Sequence, residues 1–482
     1  MYFKFGGHLS HFRDSLSSLT KKFHGTTRSH KFEILVQSVV YLLWVAYSLP
    51  ARMSPDSFAD FGQVLSGNWS DWHTLTYTLF IYVTSIGGRA IWLVAFVQLA
   101  MLVLAVNYYV RSIVIKSSPF RAIILGLISI SPLIGPFATT IWHDVPYIAF
   151  VLVSLGIIIR ICNTIEFDSR LALALFFSFA GVILFRHNGW PTLLVFSIIW
   201  FLFSFYGRSV ARRRASLIGI IAVLIVTPIQ LLSPKMIHDA ETPAWFPYMP
   251  IVANMTYAVA NDLPGSNKYR TEVMTFAGPE TLRGSLVCQS LNGVIFAPDF
   301  NGKKIETVAP DLILLFAQEL VSNPRSVLAA HECRTRNFVP SIFQPNTNYY
   351  YWLQGGIIEN NLEIKSINLP ALNFVGAWEN FITKSGPKIS RGGDWWLASL
   401  FLLLFALVMA RFKLTYLYNE SILTFAWCSS VLLILLLVAP AQDVRYSLPI
   451  MIPVFVNALS LLSMIVKTVL VRLSSVQLPI RL

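Results

Sequence analysis

Long apolar runs separated by short polar turns dominate the chain. Ten runs are each about as long as a helix needs to cross the hydrocarbon core of a bilayer: residues 33–50, 89–110, 119–141, 145–162, 170–185, 190–206, 216–233, 395–410, 420–440 and 446–466. The first begins at residue 33 and lacks a small-residue cleavage site, so it is expected to stay as the first span. Before it, Phe5, Leu9, Phe12, Leu16, Leu19 and Phe23 recur at helical spacing, with Arg13, Lys21 and Lys22 on other faces. That pattern predicts an amphipathic helix lying on the inner leaflet.

Between residues 234 and 394 the pattern changes. TPAWFPYMP, NDLPGSNKY, FAPDFNGKK and FQPNTN mix Pro, Gly and Asn with scattered apolar residues, and helical stretches show at PDLILLFAQELVSNP and RSVLAAHECRTRN. The expected organisation is a cytoplasmic amphipathic segment (1–32), a membrane module (33–233), a mixed extracytoplasmic domain (234–394), closing helices (395–466) and a cytoplasmic tail (467–482). The fold class is all-α and polytopic, with about ten transmembrane helices.

Composition agrees: 55% of residues are hydrophobic, 13% are charged, and the mean hydropathy is +0.61. A soluble domain cannot bury that much apolar surface. With the N-terminus placed in the cytoplasm, the inner segments hold 20 Lys and Arg and the short outer turns only four: Arg52, Arg89, Arg186 and Arg445. GRSVARRRAS is the clearest inner anchor. This asymmetry follows the positive-inside rule. It accounts for most of the net charge of +13 as topology and contact with anionic lipid, not as a nucleic-acid surface.

The outer turns carry the candidate chemistry. SPDSFADFGQVLSGNWSDWHT brings Asp56, Asp60, Gln63, Asp71 and His73; TTIWHDVPY brings His143 and Asp144; VILFRHNGWPTLLVF brings Arg186, His187 and Asn188; APAQDVRYSLP brings Gln442, Asp443, Arg445 and Tyr446. Ionisable residues beside a membrane usually have a function, although any one of them could simply cap a helix or snorkel. Arg186 and Arg445 suit a phosphate at headgroup depth, because guanidinium pairs with it as a bidentate fork. A neighbouring carboxylate could take the proton of an attacking hydroxyl. Together they describe group transfer from a lipid-linked phosphate donor to an alcohol.

SPDSFADFGQ, IWHDVPY, FRHNGWP, SNPRSVLAAH and QDVRYSLPI, in that order, resemble the GT-C class of polytopic glycosyltransferases, of the bacterial envelope type. The resemblance implies a polyprenyl-phosphate sugar donor such as an undecaprenyl-phosphate sugar. It implies a glycan or lipid-linked acceptor, as in envelope polysaccharide or lipopolysaccharide. The expected location is the inner membrane, with the active site facing the periplasm. By position Asp56 matches the class's catalytic base, with Asp60 in reserve, and Asp144 matches its second-loop acid. His143 stands where many relatives carry Lys, a departure. Arg186, Arg445, His143 and Asp144 are assigned to the donor phosphate; Gln63, His73, His187, Asn188, Asp443 and Tyr446 are assigned to substrate. A pKa raised by partial burial is expected at Asp56, and its alternative role is the N-cap of the helix formed by SFADFGQVL.

No cofactor is assigned. A divalent ion among Asp56, Asp60, His73, His143 and Asp144 is the open alternative, since no spacing specifies one. Two other functions stay in view: a polysaccharide polymerase or ligase acting on lipid-pyrophosphate glycans, and a proton-coupled transporter, which would place its ionisable groups nearer the bilayer midplane. Of the four cysteines, Cys288 and Cys333 fall in the extracytoplasmic domain, where a disulfide is permitted. A bond between them would stabilise the domain by roughly 3–4 kcal/mol.

Overall fold

The computed structural model describes residues 30–113, 118–164, 167–206, 209–236, 243, 245–284, 292–343, 357–367, 369–389, 391–410, 415–438 and 444–475. The predicted amphipathic segment therefore lies outside the described residues up to residue 29, as do Cys288 and Asp443 and the tail beyond residue 475. Among the described residues the chain is helical and forms no strand; three isolated bridges pair Arg52 with Thr140, Met53 with Ile357 and Ala277 with Phe300.

The N-terminal helices are α1 (30–47), α2 (Pro55–Ser66), α3 (Leu75–Thr84), α4 (Ile91–Ser112), α5 (Ser118–Ile130), α6 (Ile134–Thr139), α7 (Asp144–Thr164), α8 (Ser169–Leu184), α9 (Gly189–Tyr206) and α10 (Val210–Met236). The region between the two groups of apolar helices folds as α11 (Met249–Ala260), α12 (Arg270–Phe276), α13 (Pro279–Gly284), α14 (Asn292–Ile295), α15 (Gly302–Ser322), α16 (Pro324–Val327), α17 (Ala329–Thr335) and α18 (Asn373–Ile389). The chain closes with α19 (Gly392–Ala410), α20 (Thr415–Val438) and α21 (Leu448–Ser475).

Among the described residues, six helices are long and apolar enough to cross a membrane: α4, α7, α10, α19, α20 and α21. The chain is thus a multi-pass membrane protein. Large apolar side chains stay exposed along α10 (Leu224, Ile225, Leu231) and α19 (Phe401, Leu404, Val408). Lipid is the solvent in which such faces cost nothing. The other expected spans coincide with α1 and the shorter helices α8 and α9, and with an interrupted pair. The run expected as one span over 119–141 is two helices. Ser131 precedes Pro132, and a residue before proline is pushed out of the helical region, so α5 ends at Ile130 and α6 restarts at Ile134. The short apolar helix α3, LTYTLFIYVT, was not expected; ten residues are too few to read as a span.

α4 packs on α7, α7 on α8, α8 and α9 on α10, and α9 on α20, which in turn packs on α19 and α21. One continuous apolar core runs through both groups of helices. The region between the two groups has a core of its own, including Met249, Met255, Tyr269, Phe276, Ile305 and Leu312. Its expected second helix is broken at Leu328 into α16 and α17. Cys333 is disulfide-bonded, while Cys162 and Cys428 are free.

After this domain the chain returns to the membrane module. Ile367 N donates to the carbonyl of Leu49 (2.9 Å), and Trp378 Nε1 donates to the carbonyl of Ile130 (2.9 Å). Arg52 donates both guanidinium ends to the carboxylate of Glu379, at 2.7 and 2.7 Å, with both side chains buried.

Candidate functional site

The helix after the first span is fixed at its start by Ser54. Its hydroxyl accepts from Ser57 N, the Ser57 hydroxyl accepts from Ser54 N, and Pro55 occupies the first turn. Ser54, not Asp56, is therefore the N-cap. Asp56 sits one position into the helix, where the unpaired amides and the helix dipole favour its negative charge.

Three contacts sew this segment to the turn before α7. Arg52 N donates to Thr139 O (3.1 Å), Ile141 N donates to Arg52 O (3.0 Å), and the Ser57 hydroxyl donates to Ile141 O (2.7 Å). Trp142 Nε1 adds a bond to Ser54 Oγ at 2.7 Å. These bonds fix Asp56 beside Asp144, the first residue of α7, whose carboxylate is fully buried.

Two arginines meet these acids. Arg186, in the turn between α8 and α9, pairs with Asp144. Arg445, just before α21, donates through Nη1 to Asp56 (2.6 Å) while its Nε lies 3.8 Å from Asp144. Aromatic rings hold both guanidiniums in place. Arg186 lies over Tyr147 (5.3 Å) and Tyr446 (4.7 Å); Arg445 lies over Trp142 (5.1 Å) and Tyr446 (5.3 Å). Such contacts add attraction and limit side-chain freedom.

Beside this chain of charges, His73 Nδ1 donates to Asp60 (2.7 Å), and the His73 and His143 rings stand 4.7 Å apart. Asp60 is buried, and burial raises its pKa, opposed by His73. For His73 burial works downward, but Asp60 outweighs it and the pKa is raised. Burial holds His143 well below the ordinary histidine value, with further lowering from His73 and Arg186. Asp56 departs from expectation. Burial opposes its ionisation, yet Arg445 and His73 prevail and its pKa is lowered, not raised.

The structure thus gathers Asp56, Asp60, His73, His143, Asp144, Arg186, Arg445 and Tyr446 into one layer at the helix ends. The remaining candidates stand apart or serve the scaffold. Gln63 Oε1 accepts from Ser70 N (2.8 Å), which closes the loop after α2 and explains its placement without a substrate. His187 Nε2 donates to the carbonyl of Asp71 (3.1 Å), and Asp71 itself accepts from Leu75 N at the start of α3. The Asn188 backbone carbonyl accepts from Thr192 in the first turn of α9, while its side-chain Oδ1 is buried with no hydrogen-bond partner among the described residues. Tyr446, gathered into that layer, is buried with both guanidiniums over its ring. Asp443 lies outside the described residues.

Sequence reasoning passed over Trp142 and Tyr147, although both flank the His143–Asp144 pair within IWHDVPY. It also passed over Glu379, which carries no local signal. No protein-family model, curated protein or solved structure matches this chain.

Proposed function

We propose that the chain is a membrane glycosyltransferase that moves a sugar from a polyprenyl-phosphate donor to an extracytoplasmic hydroxyl, with Asp56 as the general base. One observation supports this reading above the others. Asp56, a carboxylate that remains 24% exposed, pairs with Arg445, Arg186 pairs with the neighbouring Asp144, and aromatic rings hold both guanidiniums in place, all at the ends of apolar helices. Those are the components that transfer from a lipid phosphate needs at the membrane edge.

The reaction is a direct displacement. The acceptor oxygen forms a bond to the anomeric carbon and passes its proton to Asp56. The bond from that carbon to the phosphate oxygen breaks, and its electron pair leaves on the lipid phosphate. A single displacement inverts the anomeric centre. In the free protein Arg445 is engaged by Asp56. When the donor phosphate arrives, Arg445 turns toward it, and Asp56 loses the partner that lowers its pKa. Substrate binding thus converts a weak base into a stronger one. Arg186, anchored by Asp144, holds the second phosphate oxygen. The polyprenyl tail lies along the apolar helices, and the extracytoplasmic domain meets the acceptor.

The test is consumption of a labelled polyprenyl-phosphate sugar by the purified protein. Transfer with inverted configuration is expected; a protein that leaves the entire donor panel intact overturns the reading.

A further inference from the structure

We infer that Asp60, His73 and His143 form a binding site for one divalent transition-metal ion of the zinc type. Each offers one ligand atom, and these atoms lie within 4.8 Å of one another. Zinc bonds of about 2.0–2.2 Å put tetrahedral ligand atoms about 3.4 Å apart. The set therefore closes on an ion through small side-chain rotations, with no movement of helices.

The three ligands come from separate, well-anchored places. Asp60 lies in the middle of α2, His73 stands just ahead of α3, and His143 stands just ahead of α7. The bonds that sew Arg52 and Ser57 to residues 139–141 fix the first and third relative to each other.

A second observation points to a ligand. His143 Nδ1 is buried and has no hydrogen-bond partner among the described residues. An imidazole nitrogen placed so costs free energy unless something occupies its lone pair or takes its proton. A metal ion satisfies it. The Asp60–His73 contact at 2.7 Å shows that the two groups already stand close enough to share one ion, which would take the place of the proton between them.

The donor chemistry selects the ion. Two imidazole nitrogens and one carboxylate suit zinc or another first-row ion and do not suit magnesium or calcium, which take oxygen ligands. Three protein ligands leave a fourth position open, the arrangement of sites that bind water or substrate. Charge balance adds a consequence that does rest on the transferase reading. The layer sets three carboxylates, Asp56, Asp60 and Asp144, against only two guanidiniums, Arg186 and Arg445. A dication here supplies the positive charge an incoming phosphate lacks.

The experiment uses full-length protein in detergent with any affinity tag removed, stripped with a chelator and titrated with Zn2+ by calorimetry, with bound metal counted by mass spectrometry. One Zn2+ per chain is expected, unaffected by millimolar Mg2+. Asp60→Asn, His73→Ala and His143→Ala should each weaken it at least tenfold. His143→Gln serves if the alanine variant fails to fold, as judged by size exclusion and thermal unfolding. Substitution with Co2+ should give visible bands that disappear in the same variants. Substoichiometric zinc in the wild type, or equal binding in all folded variants, overturns the proposal. Metal binding is read without turnover. A failed titration therefore leaves the transferase reading standing, and an inactive donor panel leaves the metal site standing.

Discussion

Arg445 donates to Asp56 at 2.6 Å across 389 positions of sequence, joining the turn before the last helix to the first turn of the helix after the first span. The two residues belong to opposite ends of the chain, and nothing local in either requires the other. Their pairing ties the last helix to α2, and Arg445 is the charge that does most to lower the pKa of the proposed base.

Arg186 is predicted to bind the donor phosphate as a fork. Arg186→Lys keeps the charge but loses the second hydrogen bond and the flat contact with Tyr147 and Tyr446. Its kcat/KM for donor should fall about tenfold or more, the cost of one charged hydrogen bond. Arg186→Ala should fall further and still fold. Donor affinity equal to wild type in Arg186→Ala would leave the arginine with only the partnership of Asp144.

The buried pair Arg52–Glu379 ties α18 to the membrane module. Removing one partner strands the other charge in a place water does not reach. Glu379→Gln should therefore destabilise by about 3–5 kcal/mol, read as a lower unfolding temperature in detergent. The double variant Arg52→Met, Glu379→Leu should recover most of the loss. A Glu379→Gln protein as stable as wild type would mean that the pair contributes nothing.

His187 gives a pH signature. Burial lowers its pKa from 6.5 to about 4, against a raising effect from the Asp71 carbonyl. Between those values the unfolded chain binds more protons than the folded one. Its contribution to stability is full above 6.5 and is lost as pH falls toward about 4. The side chain is partly exposed, so the slope is shallow. His187→Gln should flatten the unfolding temperature across this window. An identical slope in wild type and variant would assign the acid sensitivity to other groups.

The positions of the long apolar helices were legible in the sequence because each follows from a run of apolar residues. What periodicity could not show is where an apolar run breaks for local reasons. Ser131–Pro132 interrupts the third run by restricting backbone angles, while hydrophobicity continues across it. The site was legible at the level of turns: Asp56, Asp60, His73, His143, Asp144, Arg186 and Arg445 could all be named because polar residues at helix ends stand out against an apolar background. Their partnerships could not. Arg445 chooses Asp56 and Arg186 chooses Asp144 through tertiary packing, so the lowered pKa of Asp56 and of His143 emerges only in three dimensions. The bond of Gln63 to Ser70 N within its own loop was equally hidden in the sequence.

The central claim is that Asp56 takes the acceptor's proton. Asp56→Asn keeps the shape and loses the base; the helix keeps its cap, because Ser54 supplies it. The decisive measurement compares wild type and Asp56→Asn for single-turnover transfer from a panel of labelled undecaprenyl-phosphate hexoses and pentoses, with donor affinity measured in parallel. The account predicts inverted product from wild type. It predicts a rate at least ~100-fold lower in Asp56→Asn, the scale of general-base loss, with donor binding retained through Arg186 and Arg445. An Asp56→Asn protein that transfers sugar at the wild-type rate would contradict it.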